Sequence, residues 1–533
     1  MNAGNRRRAI AQRLRPIGVL LIVGSLLSCS ATDPLASVGA STQGTPTSQP
    51  PPNVVLLFAD DLGYGDLSSF GHPNINTPNL DALASGGQRW TDFYVAAPVC
   101  SPSRGALLTG RLPNRTGLYG KRLAVLFPED SRGMPDEEHT LPEALREAGY
   151  ATAILGKWHL GAEEPVYPTR HGFDYWYGLP YSNDMDWVGS FTFKERLAAV
   201  IGGDGLSAAQ QAESDGRVAK YANPKIDYWN VPLIRSERLE DDAGATEYRD
   251  EIIERPAQQP TLTERYTEQA LSFIDRNRDK PFFVYLPYTM PHTPLFASTH
   301  YQGKSLGGVY GDVIEEIDGS VGQIVAGLRQ RGLADNTLVI FSSDNGPWLV
   351  MLQNGGSAGP LKMGKGTTFE GGMRVPTIFS WPGTIAPAVV HDLGSALDLM
   401  PTILKAAGVS PANDIALDGV DLLPRLLGNE STAAARESMP YYRAGELRAW
   451  RQGQWKLHLI VEGAYGVGPE KEVLESPQLY HLGQDPGERF DVADQHPNVV
   501  ARIQAAISQH KEQLTSQPPL FDARLADHLP TAN

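Results

Sequence analysis

The sequence predicts an α/β protein with a large domain over residues 53–436, built on a mainly parallel sheet between helices. A smaller C-terminal α+β domain over 437–533, with an antiparallel sheet and a helix, is expected to follow. Three observations predict it. Short, β-rich apolar runs alternate with helical periodicity, as in a mainly parallel sheet lying between helices. The 533 residues exceed what one ordinary core holds, so a second body is expected. From about Glu437 the texture changes to closely spaced strand-like stretches.

Taken in order, the chain opens on an export segment, residues 1–28. Arg6, Arg7, Arg8, Arg13 and Arg15 form a positive head, and Ile17 to Leu27 a short apolar run. That run is too short for a stable spanning helix, which needs about 20 apolar residues. It ends in Leu26-Leu27-Ser28-Cys29, which resembles a bacterial lipobox with Cys29 as the lipidated first residue. Residues 29–52 are rich in Ser, Thr, Pro and Gly, a tether that cannot bury a core. The expected localisation is therefore exported: the periplasm or outer membrane of a bacterium, with membrane contact only through the lipid anchor.

The formal charge of the chain is −15, and it falls to −20 without the export segment's five arginines. Such acidity excludes nucleic acid as a partner. It leaves an anionic substrate open, because local Lys and Arg override a field screened over about 10 Å.

Four apolar runs read as strands: Val54 to Phe58, Ala151 to Leu155, Phe282 to Leu286 and Leu338 to Ser342. Thr263 is expected to cap a helix carrying Tyr266, Ala270 and Phe273 on one face. Val313, Ile317, Val321, Ile324 and Leu328 keep helical spacing in another, with Gly332 as its stop. The polar stretch 202–260 reads as an irregular insertion over the active face. In the C-terminal part, strands are expected at Arg448 to Trp450, Trp455 to Ile460 and Leu479-Tyr480, then a helix from Pro497 to Leu514.

The residues that look chemical follow the four strands. Asp60 and Asp61 come after the first, Lys157 and His159 after the second, His292 a loop after the third, and Asp344-Asn345 after the fourth. In open α/β sheets ligands bind beyond the carboxyl ends of the strands, so four segments deliver these groups to one edge. Three carboxylates converging there repel one another unless a cation is present. All-oxygen donors suit Ca²⁺ or Mg²⁺ rather than Zn²⁺. Cys100, unpaired in an oxidising compartment, stands before Pro102, which suits a helix first turn. Helix-terminal amides attract anions and are expected to lower the thiol pKa. Tyr175, Trp176, Tyr177, Tyr181 and Trp187 cluster near this region, and packing is the favoured reading over stacking on a sugar or aryl ring.

Cys100-Ser101-Pro102-Ser103-Arg104-Gly105 resembles the signature of the sulfatases, members of the alkaline phosphatase-like superfamily. Gly156-Lys157-Trp158-His159 is similar to their second signature. Met290-Pro291-His292 and Gly364-Lys365-Gly366-Thr367 match further active-site segments, and the closest look is to the arylsulfatase A and N-acetylgalactosamine-6-sulfatase branch.

The resemblance implies hydrolysis of aryl sulfate or sulfated carbohydrate. It implies oxidation of Cys100 to formylglycine by a maturation enzyme. Asp60, Asp61, Asp344 and Asn345, with Cys100, would hold one Ca²⁺, Mg²⁺ being less favoured. Arg104, Lys157 and Lys365 would carry the charge of the sulfuryl group, His292 with Lys365 would protonate the departing alcohol, and His159 would accept a proton. Ser182, in Tyr181-Ser182-Asn183, falls where such members place a Ser near the sulfate; with Lys157, His292 and Lys365 it completes the implied substrate contacts.

Two other functions are weighed against this. A phosphate mono- or diester hydrolase of the same superfamily would bring several His as Zn²⁺ ligands, often one near the late strand where Asn345 stands. A decayed, non-catalytic binder of sulfated polysaccharide would lack a nucleophile, ligand or His, and none is missing.

Overall fold

The computed structural model describes residues 50–533, apart from 129, 192–194, 196–204, 241–243, 413–414, 429–435 and 527–533. The export segment, Cys29 and the tether through residue 49 lie outside the described residues, as does the start of the 202–260 stretch.

Sixteen strands are present among the described residues. Ten make one large sheet: β1 Asn53–Ala59, β2 Gln88–Trp90, β4 Ala151–Leu155, β5 Tyr175–Gly178, β6 Leu233–Glu240, β7 Thr246–Glu254, β8 Phe282–Pro287, β9 Thr337–Ser343, β10 Thr377–Ser380 and β11 Ala388–Val390. β3 Phe93–Tyr94 and β12 Gly394–Ser395 pair separately. The large sheet runs β11-β2-β10-β9-β1-β8-β4-β5-β6-β7. Its centre, β9-β1-β8-β4-β5, is parallel, and β10, β6 and β7 run against their neighbours.

The centre is parallel because its strands are apolar on both faces. β1 is wholly buried: Val54, Leu56 and Phe58 enter the core on one side, and Val55, Leu57 and Ala59 the core on the other. Helices Leu262–Arg276 and Gly308–Gln330 cover the second face through Tyr266, Ala270, Phe273, Val313, Ile317 and Ile324. The first of these begins one residue before the expected cap. Thr261 is the N-cap residue, because a 3₁₀ turn over Gln259–Thr261 feeds straight into the helix, and Thr263 is already inside it. The second ends at Gln330, and Gly332 turns left-handed just beyond, at φ 69°.

The 202–260 stretch is not irregular. It holds a helix, Ala208–Ala222, and the long hairpin β6–β7, which extends the large sheet at its β5 edge. The hairpin was hidden in the sequence because β7 is exposed on both faces and reads as charge without alternation.

The C-terminal part forms a four-stranded antiparallel sheet, β13 Ser438–Arg443, β14 Glu446–Gln452, β15 Trp455–Val461 and β16 Glu472–His481, followed by the helix Pro497–Gln513. Met439, Tyr441, Ala449, Leu457 and Leu479 share a core with Ala106 and Leu107 of the helix Cys100–Thr109. The second sheet is thereby tied to the helix that carries Cys100.

Candidate active site

The parallel centre delivers its loops to one edge. β1 runs into Asp60 and Asp61, β4 into Gly156 and Lys157, and β9 into Asp344 and Asn345. Neighbouring loops lock backbone to backbone: Lys157 N–H donates to Pro287 O (2.8 Å), Asp60 N–H to Met290 O (3.3 Å) and Asp344 N–H to Ala59 O (3.2 Å). The Lys365 loop arrives through glycine contacts. Gly346 N–H donates to Gly372 O at 3.1 Å, and a Cβ on Gly346 would stand 1.8 Å from Gly371 O. Asp61 and His159 adopt left-handed backbone, φ 66° and 60°, a strain that non-glycine residues show where surrounding structure over-determines them.

All eleven candidate positions come together or line the same chamber, and all are buried: Asp60, Asp61, Cys100, Arg104, Lys157, His159, Ser182, His292, Asp344, Asn345 and Lys365. Asp60 accepts from Lys157 Nζ (2.6 Å) and lies 3.5 Å from Arg104 Nη2. Asp61 accepts from Lys365 Nζ and Asn345 Nδ2, both at 2.7 Å, and sits 3.6 Å from His292 Nε2. Asp344 accepts from Arg104 through Nη2 at 2.7 Å and Nε at 3.0 Å. Burial drives the Asp60 carboxyl upward, but Lys157, His292 and Arg104 outweigh it and hold it below the usual range.

The donor set fits a hard cation. Ligand atoms of Asp60, Asp61, Asp344 and Cys100 all lie within 4.8 Å of one another. Asn345 Oδ1 is buried with no partner among the described residues, an orphan acceptor aimed at oxygen-ligand chemistry.

Cys100 opens its helix, with Val99 as N-cap, and its Sγ approaches Asp60 Oδ1 at 3.6 Å. The expected drop in thiol pKa does not occur. Burial raises it far above the ordinary value, and the nearby Lys157 and Lys365 do not offset that while Asp344 and Asp60 oppose them. The intact thiol is therefore a poor nucleophile in this setting.

The histidines are held in defined tautomers. His159 Nε2 meets Leu126 O at 3.0 Å, so that nitrogen carries hydrogen and Nδ1 presents a lone pair toward Ser182 Oγ (3.5 Å). Burial, with Lys157 and Arg104, pushes the His159 pKa well down and keeps the ring neutral. His292 Nδ1 meets Thr293 O at 2.7 Å, leaving Nε2 toward Asp61. Ser182 Oγ accepts from Lys157 Nζ at 2.7 Å.

Several neighbours escaped the sequence reading. Asn183 Nδ2 donates to Pro294 O (2.9 Å) and Gln259 Oε1 (3.0 Å), fixing the His292 loop. Asp184 is gripped by Arg217 (3.0 Å) and Tyr221 (2.8 Å) of the helix Ala208–Ala222. Trp348 lies 5.3 Å from the His292 ring, under Lys365 Nζ at 4.6 Å, and 5.6 Å from Tyr465. Trp348 stands three residues after Asn345 and its adjacency was a usable signal. Tyr465 comes from the C-terminal sheet and had none. The aromatic cluster packs as favoured: Tyr175, Tyr177 and Tyr181 lie in one core and Trp176 in the other.

Comparison with known proteins places this geometry. Residues 52–409 match the family model described as Sulfatase, and residues 434–531 the model for the C-terminal region of aryl-sulfatase. The chain is 39% identical to N-acetylgalactosamine-6-sulfatase of Mus musculus, over 91% of this chain and 90% of that protein. It is 38% identical to arylsulfatase A of Homo sapiens, over 86% and 87%. Among solved structures, the PsFucS1 sulfatase from Pseudoalteromonas sp. superposes with a TM-score of 0.71 at 28% identity, covering 87% of this chain and 90% of that one.

Proposed function

The chain belongs to the sulfatase family and is a sulfuric ester hydrolase, and from the sealed constellation around Cys100 we propose how it acts and on what. The substrate is a sulfated carbohydrate. The 39% identity to a protein named for N-acetylgalactosamine 6-sulfate makes a sulfated amino sugar the first class to test.

The observation that carries the mechanism is that three carboxylates, three fixed cations and two histidines converge on one buried cysteine. Oxidation of Cys100 to formylglycine by a maturation enzyme supplies a hydrated aldehyde, whose oxygen is a competent nucleophile toward sulfur where the buried thiol is not. Asp60, Asp61, Asp344 and Asn345, beside residue 100, would hold a Ca²⁺, which would supply Lewis acidity and neutralise the carboxylates. Arg104, Lys157 and Lys365 then bear the negative charge of the sulfuryl group as it transfers. Ser182 orients the sulfate through its bond with Lys157. His292, whose Nδ1 hydrogen is held by Thr293 O, offers the departing alcohol the Nε2 proton of its doubly protonated ring, with Lys365 beside it, and His159 accepts a proton at Nδ1. Trp348 and Tyr465 form an aromatic rim beside His292 and Lys365.

The test is the mass of the tryptic peptide from Trp90 to Arg104 from protein made in its native host. Conversion lowers it by about 18 Da. An intact thiol in enzyme that releases sulfate would overturn the nucleophile.

We propose, from the arginine-rich head, the short apolar run and Leu26-Leu27-Ser28-Cys29, that the protein is exported and anchored through Cys29. Labelled palmitate should enter the wild type and not Cys29→Ala; equal labelling of both would remove the anchor.

A further inference from the structure

A cleft of about 540 Å³ lies between the loop before Cys100, the 119–124 segment and the C-terminal sheet. Val99 and Pro102, which flank Cys100 and its neighbour, line its wall, as do Gly366, which follows Lys365, and Tyr465 from the aromatic rim. It is therefore an annex of the reaction chamber.

Its charge runs against the rest of the molecule. Arg443, Arg448 and Lys471, from the C-terminal sheet, face Lys121 and Arg122 across it. Among the described residues that line the cleft two carboxylates oppose these five cations, and both are shared. Glu446 pairs with Lys471 and Arg448, each at 2.7 Å, and Glu462 with Arg448 at 2.7 Å and Arg443 at 3.6 Å. Lys121 and Arg122 are exposed, and their side chains make no hydrogen bond or close ion pair with a described residue, although Lys121 lies near enough to Glu446 to help lower its pKa; their backbone amides donate to Asp522. The Arg448 Nε is buried and without a partner among the described residues. In a chain of net charge −15 this lining carries a local excess of positive charge. Tyr119, Tyr442 and Tyr465 supply ring edges and faces along it, the lining that sugar rings pack against. Burial and the like-charged Arg448 hold the Arg443 pKa below the ordinary arginine value against the pull of Glu462, as expected where a further anion is wanted.

We infer that this cleft is a subsite for an anionic sugar residue joined to the one whose sulfate is cleaved, so that the enzyme takes acidic oligosaccharides. The inference rests on the sulfated-carbohydrate reading above. The anion is a carboxylate of a uronate or a second sulfate, both of which the guanidinium and ammonium groups recognise.

The experiment uses the full, matured enzyme on three substrates. They are 4-nitrophenyl sulfate, a sulfated N-acetylgalactosamine linked to a uronate, and the same sugar linked to a second sulfated sugar. In Lys121→Ala/Arg122→Ala, the ratio of kcat/KM on an acidic disaccharide to that on the aryl sulfate should fall about tenfold or more, through KM. The charge-keeping variant Lys121→Arg/Arg122→Lys should restore it, and added salt should erode it in the wild type. A fall confined to the uronate or to the disulfated substrate identifies the anion. An unchanged ratio on both overturns the subsite, as does wild-type turnover of the aryl sulfate with neither disaccharide. Inactivity of the matured enzyme on all three would instead count against the reading of the Cys100 site.

Discussion

Asn345 makes one clear demand on its surroundings. Its amide nitrogen is spoken for by Asp61 Oδ1 and Gly346 O, while its oxygen is buried and unpartnered among the described residues. Desolvating that oxygen without a ligand costs on the order of 1–3 kcal/mol. Asn345→Leu should raise the Ca²⁺ concentration that half-restores chelated enzyme by about 10–100-fold, read both as sulfate release and as the Ca²⁺-dependent rise in melting temperature. If exhaustive chelation changes neither quantity in the wild type, the cation reading is wrong. At this scale the sequence was largely legible. Asp60, Lys157, His292 and Asp344 each follow an apolar strand, and parallel strands bring such residues to one edge. What it hid was environment. Motif and helix position promised an acidified Cys100, but complete burial beside Asp60 and Asp344 reverses the sign.

Elements carry the second-order positioning. The segment bearing Lys157 and His159 is braced by Trp158, whose ring stacks on His171 at 6.1 Å and 20° and whose Nε1 donates to Val166 O. His171 is buried, its Nε2 has no partner among the described residues, and burial lowers its pKa to about 4. Because the folded value lies below the unfolded one, this site's stability is complete above about pH 6.5 and is lost as pH falls toward 4. The loss approaches about 3 kcal/mol. Stability measured from pH 7 to pH 4 should therefore fall less steeply in His171→Phe than in the wild type; matching slopes would mean that His171 is not buried neutral. Elements were less legible than residues. β1, β4, β8 and β9 announced themselves because burial on both faces makes them uniformly apolar. The β6–β7 hairpin did not, because its outer strand reads as charge, yet the segment leading from it supplies Gln259, which fixes Asn183 beside His292.

Across the whole molecule, the two sheets are joined by buried charge. Lys456 of β15 reaches Glu370 and Glu488, each at 2.9 Å, with every partner fully buried. Glu488 in turn accepts from the Glu370 backbone at 2.7 Å. Burial would raise the Glu370 pKa, but Lys456, Arg374 and Arg451 hold it at about 2. Glu370 ends the loop that presents Lys365, so the C-terminal sheet sets the reach of a proposed catalytic cation. Lys456→Met would strand two carboxylates and cost about 3–5 kcal/mol, seen as a lower denaturation midpoint, and Lys456→Met/Glu370→Gln should recover part of it. A midpoint unmoved by the single change would show that the pair is dispensable. The sequence showed that a second sheet begins near Glu437. It gave no sign that Tyr465 would return to the reaction chamber, because that contact depends on packing between segments roughly a hundred residues apart.

The burial of Cys100 also sets an order of events. Only 1% of that residue is exposed, and the strands, the helix and the second sheet that enclose it are drawn from nearly the whole chain. An oxidising enzyme must engage the sulfur directly, and the folded protein offers it no approach. Under the proposed modification of Cys100, maturation and folding compete for the same chain, and only one order of the two yields the proposed nucleophile. A chain that closes first would keep Cys100 as a buried thiol that the proposed maturation enzyme cannot reach. On that proposal the yield of active protein is decided by the timing of the modification rather than by how well the finished molecule is folded.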